Sequence, residues 1–589
     1  MNRLRAWVLA LVFLVTAAPA AALPALDALI TDYEAWSLAD DPFEAGRRGD
    51  IEALARLPDP TPTADQQRRA SLSGFQSRLS QLPASGLSEE DALNRDFLRW
   101  TLSRRLASLD FDEARMPFSS DGGFDQTLGY VAVGLPMRTE ADARAWISRL
   151  KALPGYYHAH IENARRGVKA GFTQPRPTTL QVLERARRAA DLAPDGDPLL
   201  APLTRLPAEV PAPLRKALLD EGRRALEEDI RPARRRFVAF LEKEYLPAAR
   251  PALAARSLPG GEAYYRWLVA DHTTTALTPD QIHQIGVDEV ARIRREMDGV
   301  MAETGFKGDF AAFLAMLRSD PRFYARNREE LLEKASRIAK RIDDELPAWF
   351  ATLPRLTYGV RPVPAEIEET YTTGRYFGGS AARGVSGGYM VNTSHLDQRP
   401  LYELPALTLH EAVPGHHLQI ALAEEVAGVP EFRRNADVTA FTEGWGLYAE
   451  KLGGEMGIYR DPWERFGRLS YEMWRACRLV ADTGIHWKGW SVDQARACFT
   501  ENSALSPLNI EVELARYVSW PGQALAYKVG EMRIVALREA ARRELGERFD
   551  IRRFHDAVLL AGPMPLDMLE ARIRTWVSAE GPRRRQGPS

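Results

Sequence analysis

Between Thr408 and Gln419 the chain reads TLHEAVPGHHLQ, which sets His410, Glu411, His416 and His417 within eight positions. Imidazole nitrogens bind divalent transition metals, and a glutamate beside them can take a proton from water, so these residue types suit a hydrolytic metal centre. The common helical form of such a pair is H-E-x-x-H, with two imidazoles one turn apart. Here the fourth residue from His410 is Pro414, which coordinates nothing. On a regular helix His416 would stand about 120° round from His410, and His417 about 10.5 Å further along the axis. Pro414 gives no N–H to the carbonyl of His410 and its ring crowds that carbonyl, so a bulge or kink is expected, with Gly415 supplying backbone freedom. A two-residue bulge returns His416 to the metal side. The expected ligands are His410 and His416, with His417 as a supporting or packing group; a tighter distortion would exchange the last two roles.

Glu411, adjacent to the first histidine, is the expected proton acceptor when water attacks a carbonyl. A third ligand is needed, and DVTAFTEGWGLYAEKLGG, Asp437 to Gly454, offers carboxylates some thirty residues downstream. Glu443 is the expected ligand. Glu450 falls on the same helix face two turns on, a better place for supporting a ligand than for being one. Two histidines and one glutamate leave a position open for water, which is the catalytic arrangement, with one Zn2+ the expected cofactor. Histidine–glutamate pairs are commonly surface pairs. Here apolar residues surround them, including Leu404, Leu407, Leu409, Leu418 and Leu422, and buried ionisable groups need partners or a metal.

HEAVPGHHLQ, TEGWGLYAE, VADTGIHWKGW and RYVSWPGQALAYKVG, in that order, resemble the large bacterial family catalogued as domain of unknown function 885. That family is similar in motif order and helical architecture to gluzincin-type zinc metallopeptidases with deep, helix-walled clefts. The resemblance implies a mostly α fold of zinc-peptidase type with such a cleft. It also implies His410, Glu411 and His416 in the roles above and Glu443 as the remaining ligand.

Two further groups of residues could assist. Arg478, Asp482 and His486 are spaced four apart, as a row on one helix face. The row is either a buried network or a device in which His486, oriented by Asp482, donates to an oxyanion. Tyr517 and Tyr527 each carry a neutral phenol suited to the same task, with aromatic packing as the alternative. GGYMVNTS, Gly387 to Ser394, reads as a strand just before the metal helix. By resemblance it would offer an edge to an extended peptide, with Gly387 and Gly388 allowing close approach.

The elements that must carry these groups are mainly helical. Ile282, Ile285, Val290, Ile293 and Met297 form one apolar stripe, and Leu331, Ala335, Ile338, Ile342 and Leu346 form another. Thr278, Pro279 and Gln281 announce a helix start with a capping box. Gly and Pro concentrate between Leu353 and Pro400, where a small β-sheet beside the metal helix is expected. The sequence divides into a signal segment over 1–22, an N-terminal helical region over 23–258, a catalytic helical region over 259–580 and a basic tail over 581–589.

The opening MNRLRAWVLALVFLVTAAPAAALP has two arginines, an apolar run and a small-residue site, as in a cleavable secretory signal with cleavage near Ala22. A periplasmic or secreted chain is expected, with no membrane span and no cysteine after the apolar run to accept a lipid. Formal charge is -2, which gives no electrostatic reason for a nucleic-acid partner. Cys477 and Cys498 either pair or remain two buried thiols. The expected activity is hydrolysis of peptide bonds in short peptides. A zinc hydrolase of non-peptide amides or esters, and a non-catalytic helical binding protein, are the alternatives.

Overall fold

In the computed structural model, residues 22–364, 368–381 and 384–580 are described. The signal segment before Ala22 and the basic tail lie outside them. The helices that matter below are α1 (Phe124–Gly134), α2 (Pro279–Glu303), α3 (Arg328–Trp349), α4 (Leu404–Glu411), α5 (His416–Glu425), α6 (Thr439–Glu455), α7 (Pro462–Thr483), α8 (Val492–Asn502), α9 (Pro507–Ser519) and α10 (Ala526–Leu545).

The apolar stripes do what their spacing predicts. On α2, Ile282, Ile293 and Met297 are buried, and all five stripe residues of α3 are. Each large aliphatic side chain so removed from water contributes about 1.5–3 kcal/mol. The start of α2 closes its capping box in both directions: Gln281 N–H donates to Thr278 Oγ1 at 3.3 Å, and Thr278 N–H to Gln281 Oε1 at 2.9 Å.

Helix α2 packs along α7, and α6 along α10. One large apolar cluster joins these helices with α4 and α5 and holds the histidine stretch. A second cluster, from Leu54 to Tyr245, belongs to the N-terminal helices. Cys477 on α7 and Cys498 on α8 form a disulfide across 21 positions. Closing a loop of that size stabilises the folded state by about 3 kcal/mol.

The Gly- and Pro-rich zone folds as three strands, β1 (Tyr358–Pro362), β2 (Gly374–Phe377) and β3 (Gly387–Val391), ordered β1-β3-β2. β3 runs parallel to β1 and antiparallel to β2, with Tyr389 opposite both Val360 and Tyr376. This corrects the expectation for GGYMVNTS. Both sides of β3 are already paired, so its backbone cannot take up a peptide as an added strand. Nor do its glycines make room for one. A Cβ on Gly387 would lie 2.6 Å from the Tyr376 hydroxyl oxygen and 2.7 Å from His417 Nδ1, so the missing side chain accommodates that internal pair.

Candidate metal centre

The helix carrying His410 does not bulge around Pro414; it stops and restarts. α4 ends at Glu411 and α5 begins at His416. In between, Gly415 N–H donates to the carbonyl of Leu409 at 3.0 Å, and His417 N–H to that of Ala412 at 3.0 Å. The detour leaves no room for a side chain at Gly415, where a Cβ would lie 1.9 Å from the His410 carbonyl oxygen. The indole N–H of Trp445, on α6, donates to the Pro414 carbonyl at 2.7 Å and fixes the loop to the helix that carries Glu443.

The detour turns His416 back toward His410. Their rings meet edge to face with centroids 4.7 Å apart. His410 Nε2 lies 3.2 Å from Glu443 Oε2, and His416 Nε2 lies 3.5 Å from the same oxygen. One ligand atom from each of these three residues falls within 4.8 Å of the other two. A tetrahedral zinc site with bonds of about 2.0–2.1 Å has ligand–ligand edges of about 3.3 Å. The two nitrogens and one oxygen therefore have both the chemistry and the spacing of a ligand set for such an ion.

The glycines of TEGWG explain how α6 comes so close. A Cβ on Gly446 would sit 2.7 Å from Cε1 of His410, and one on Gly444 would sit 2.6 Å from the backbone of Gly530 on α10. Glycine at both positions lets α6 lie between the imidazole and α10. Any larger residue would push Glu443 away from the histidines.

Glu450 takes the supporting place expected for it. Its Oε1 is 2.7 Å from His410 Nδ1 and 3.1 Å from Nη2 of Arg475. The neutral imidazole is then the tautomer with its proton on Nδ1, leaving the Nε2 lone pair toward Glu443 and His416. Burial disfavours a charged imidazole, but hydrogen bonds to Glu443 and Glu450 outweigh it and push His410 up to about 10. Burial likewise disfavours the Glu443 carboxylate, yet His416 and His410 hold it well below the usual range. The pocket thus favours an anionic carboxylate with positive charge facing it, a condition that a proton or a metal cation can satisfy.

His417 points elsewhere. Its Nε2 donates to the Leu356 carbonyl at 3.0 Å, so Nδ1 accepts from Tyr376 at 3.0 Å, and the ring braces the sheet against α5. Glu411 is 9% exposed, and among the described residues its carboxylate has no hydrogen-bond partner.

The other expected assistants separate. A wide π turn over Gly484–Lys488 follows α7 and breaks the four-residue phase, so Arg478, Asp482 and His486 do not form a relay. Asp482 accepts from the Tyr265 hydroxyl at 2.6 Å and from Gly522 N–H at 3.0 Å. Ala255 N–H donates to Nδ1 of His486, whose Nε2 donates to the Tyr517 carbonyl at 2.8 Å. Both His486 nitrogens are therefore occupied by backbone in a fully buried ring, and no N–H remains for an oxyanion. Tyr517 is equally committed: its hydroxyl donates to Glu513 at 2.6 Å and accepts from Arg478 and Trp474. Tyr527 differs, because its hydroxyl accepts from Arg516 at 3.1 Å and keeps its own proton to donate.

A model of bacterial proteins of unknown function, DUF885, matches residues 42–573. The chain belongs to this family. No curated protein matches it. Among solved structures, it is similar to a candidate lipoprotein from Colwellia psychrerythraea, with 27% identity, a TM-score of 0.87, and coverage of 94% of this chain and 99% of that one. It also shares its fold with a candidate lipoprotein of unknown function from Shewanella oneidensis, at 19% identity, a TM-score of 0.69, and coverage of 93% and 99%.

One part of the candidate site is not evident in the motifs. Arg475 reaches Glu450 from α7, and a contact between separate helices leaves no spacing signal.

Proposed function

We propose that this chain is a zinc-dependent hydrolase that cuts peptide bonds in short peptides, with the gluzincin-like helical cleft that its motifs suggest. The observation that carries the reading is the convergence of His410 Nε2, His416 Nε2 and Glu443 within 4.8 Å. Those three residues would hold the ion. A zinc ion held there would supply Lewis acidity toward a carbonyl and would acidify water. Glu450 keeps the His410 ring oriented through Nδ1. Glu411, whose carboxylate has no hydrogen-bond partner among the described residues, takes a proton from the attacking water and passes it to the leaving amine. Tyr527 is the phenol with a proton to offer to the developing negative oxygen. No helix among the described residues is long and apolar enough to cross a membrane. The disulfide, and the likeness to proteins described as candidate lipoproteins, fit an exported chain.

Elemental analysis of the purified protein, joined to mass-spectrometric screening of peptide cleavage, tests the reading. One equivalent of zinc is expected, with cleavage that disappears in Glu411→Gln while the metal stays. Unchanged turnover in Glu411→Gln would remove that residue from the reaction. Cleavage confined to small amides or esters would replace the peptide substrate class.

A further inference from the structure

Arg399 is 7% exposed and stands five residues before Leu404, where α4 begins. Its Nε donates to the Ser394 carbonyl at 3.4 Å; among the described residues its two Nη groups have no acceptor, and the guanidinium forms no ion pair. A guanidinium stays charged at any working pH, and a charge taken out of water is strongly unfavourable unless an opposite charge stands beside it. Burial pulls Arg399 below its ordinary value, and the groups that face it, Tyr471, Glu403 and Asp397, do not make up the difference. The chain therefore holds a buried cation that its own carboxylates leave unbalanced.

A second unpartnered donor shares its surroundings. Asn509, on the first turn of α9, is 5% exposed, and among the described residues its Nδ2 amide is buried without a partner. Arg399, Asn509 and Tyr371 line one small cavity. The Tyr371 hydroxyl accepts from Arg375 at 3.4 Å and so keeps a proton to donate. Leu508 and Val512 line the same space, so it lies at the start of α9, where the partial positive charge of a helix end favours an anion. Two carboxylates are near. Glu369 lines the cavity but is exposed and joined to His395 Nε2 at 2.8 Å, while Glu403, in a neighbouring cavity that Arg399 also lines, is pushed by burial to about 8 and holds its proton at neutral pH. The space is about 10 Å³, close to the room that one water-sized group takes, and Glu369 and Leu508 at its edge are exposed to solvent.

We propose that Arg399 and Asn509 form a binding site for a small inorganic anion of the halide class, which ties the segment before α4 to the start of α9. The size of the cavity excludes a peptide carboxylate with its residue attached, and the donors select negative charge over water. The bound ion balances Arg399 and accepts from Asn509 Nδ2 at once. It steadies the approach to the helix that carries His410, and the site stands or falls independently of the peptidase reading.

The test melts the full mature protein in sodium chloride and in sodium gluconate at equal ionic strength, so that screening is common to both and only the small anion differs. Chloride bound to the folded state alone is expected to raise the melting temperature saturably, by about 2 °C at a hundred-fold excess over its dissociation constant for a chain of 589 residues. In Arg399→Gln the two salts are expected to give the same melting temperature. Asn509→Asp keeps the shape and sets a carboxylate of the chain beside the arginine, so it too is expected to lose the chloride response; it serves where Arg399→Gln does not fold. Crystals of the wild type grown in bromide are expected to show an anomalous scattering peak between Arg399 and Asn509. A wild type that melts alike in the two salts overturns the site, and a bromide peak beside that result marks an adventitious ion only. A chloride response that persists in Asn509→Asp or Arg399→Gln overturns it as well, since the ion would then bind elsewhere, and so does bromide-grown wild type with water alone in the cavity.

Discussion

Oε1 of Glu450 lies 2.7 Å from Nδ1 of His410 and 3.1 Å from Nη2 of Arg475, and one carboxylate oxygen thus ties a candidate metal ligand to a neighbouring helix. Among the described residues the second oxygen of Glu450 is buried without a partner, so the orientation of His410 depends on the first. In Glu450→Gln the negative charge is lost while the shape is kept. Metal affinity is expected to fall about 10- to 100-fold, the usual cost of losing a group that orients a ligand. Chelator competition measures it. Unaltered affinity would mean that the imidazole is held by packing alone.

Gly415 and Gly446 give a steric test of the same centre. A methyl group at Gly415 would meet the His410 carbonyl oxygen at 1.9 Å, and one at Gly446 would meet the His410 ring at 2.7 Å. Both alanine variants are expected to lose bound metal and melt at lower temperature, with Gly415→Ala the worse because backbone must move. Among the described residues nothing lies within 4 Å of the same added carbon at Gly299, inside α2. Gly299→Ala is expected to gain about 0.5–1 kcal/mol, since alanine is the better helix former. Denaturant melts of the three variants read the order. A Gly415→Ala protein as stable as the wild type would contradict the interrupted helix.

How much of this was legible follows from the kind of signal each residue carries. The convergence of His410 and His416 could be read from the chain because Pro414 and Gly415 break helical phase between them, and a break is written in residue type. Its form could not: proline predicts a distortion, whereas the restart of a helix at His416 depends on Trp445 holding the Pro414 carbonyl from another helix. Glu450 was readable as two turns beyond Glu443. The Arg478, Asp482 and His486 row misled because periodicity assumes a regular helix, and the π turn at Gly484 shifts the phase. Tyr517 and Tyr527 look alike in sequence and are distinguished by which neighbours claim their hydroxyls. The strand before α4 was visible, but its central place in the sheet depends on pairing with both β1 and β2.

The two tyrosines should part in experiment as they do in structure. Tyr517→Phe removes a hydroxyl that serves Glu513, Arg478 and Trp474 in the interior, so it is expected to cost about 1–3 kcal/mol of stability for the partners left unpaired. Its kcat at a temperature where it is folded should stay near that of the wild type. Tyr527→Phe leaves Arg516 other acceptors, Gln523 and Glu513, and is expected to melt close to the wild type. Its kcat should drop about 10²-fold if the phenol stabilises the developing oxyanion. Steady-state kinetics beside calorimetry separates the cases. A Tyr527→Phe enzyme with full kcat would leave that hydroxyl a merely structural part of the Arg516 cluster.

Asp482 gives a pH dependence whose sign can be worked out from its surroundings. Burial pushes its carboxyl up to about 7, against the Tyr265 hydroxyl, Gly522 N–H and the charge of Arg516, which favour the anion. An unfolded chain releases this proton near pH ~3.9. Between those values the folded state keeps a proton that the unfolded state has lost, so this group's contribution to stability declines as pH rises and levels off above about 7. Glu403, pushed by burial to about 8, acts in the same direction and remains in any Asp482 variant. Asp482→Asn is therefore expected to reduce, without abolishing, the fall in melting temperature between pH 5 and pH 8. The asparagine oxygen can still accept from Tyr265 and Gly522, which keeps the comparison fair. Melting curves for wild type and variant that run parallel across this range would show that Asp482 is already ionised in the folded protein at pH 5.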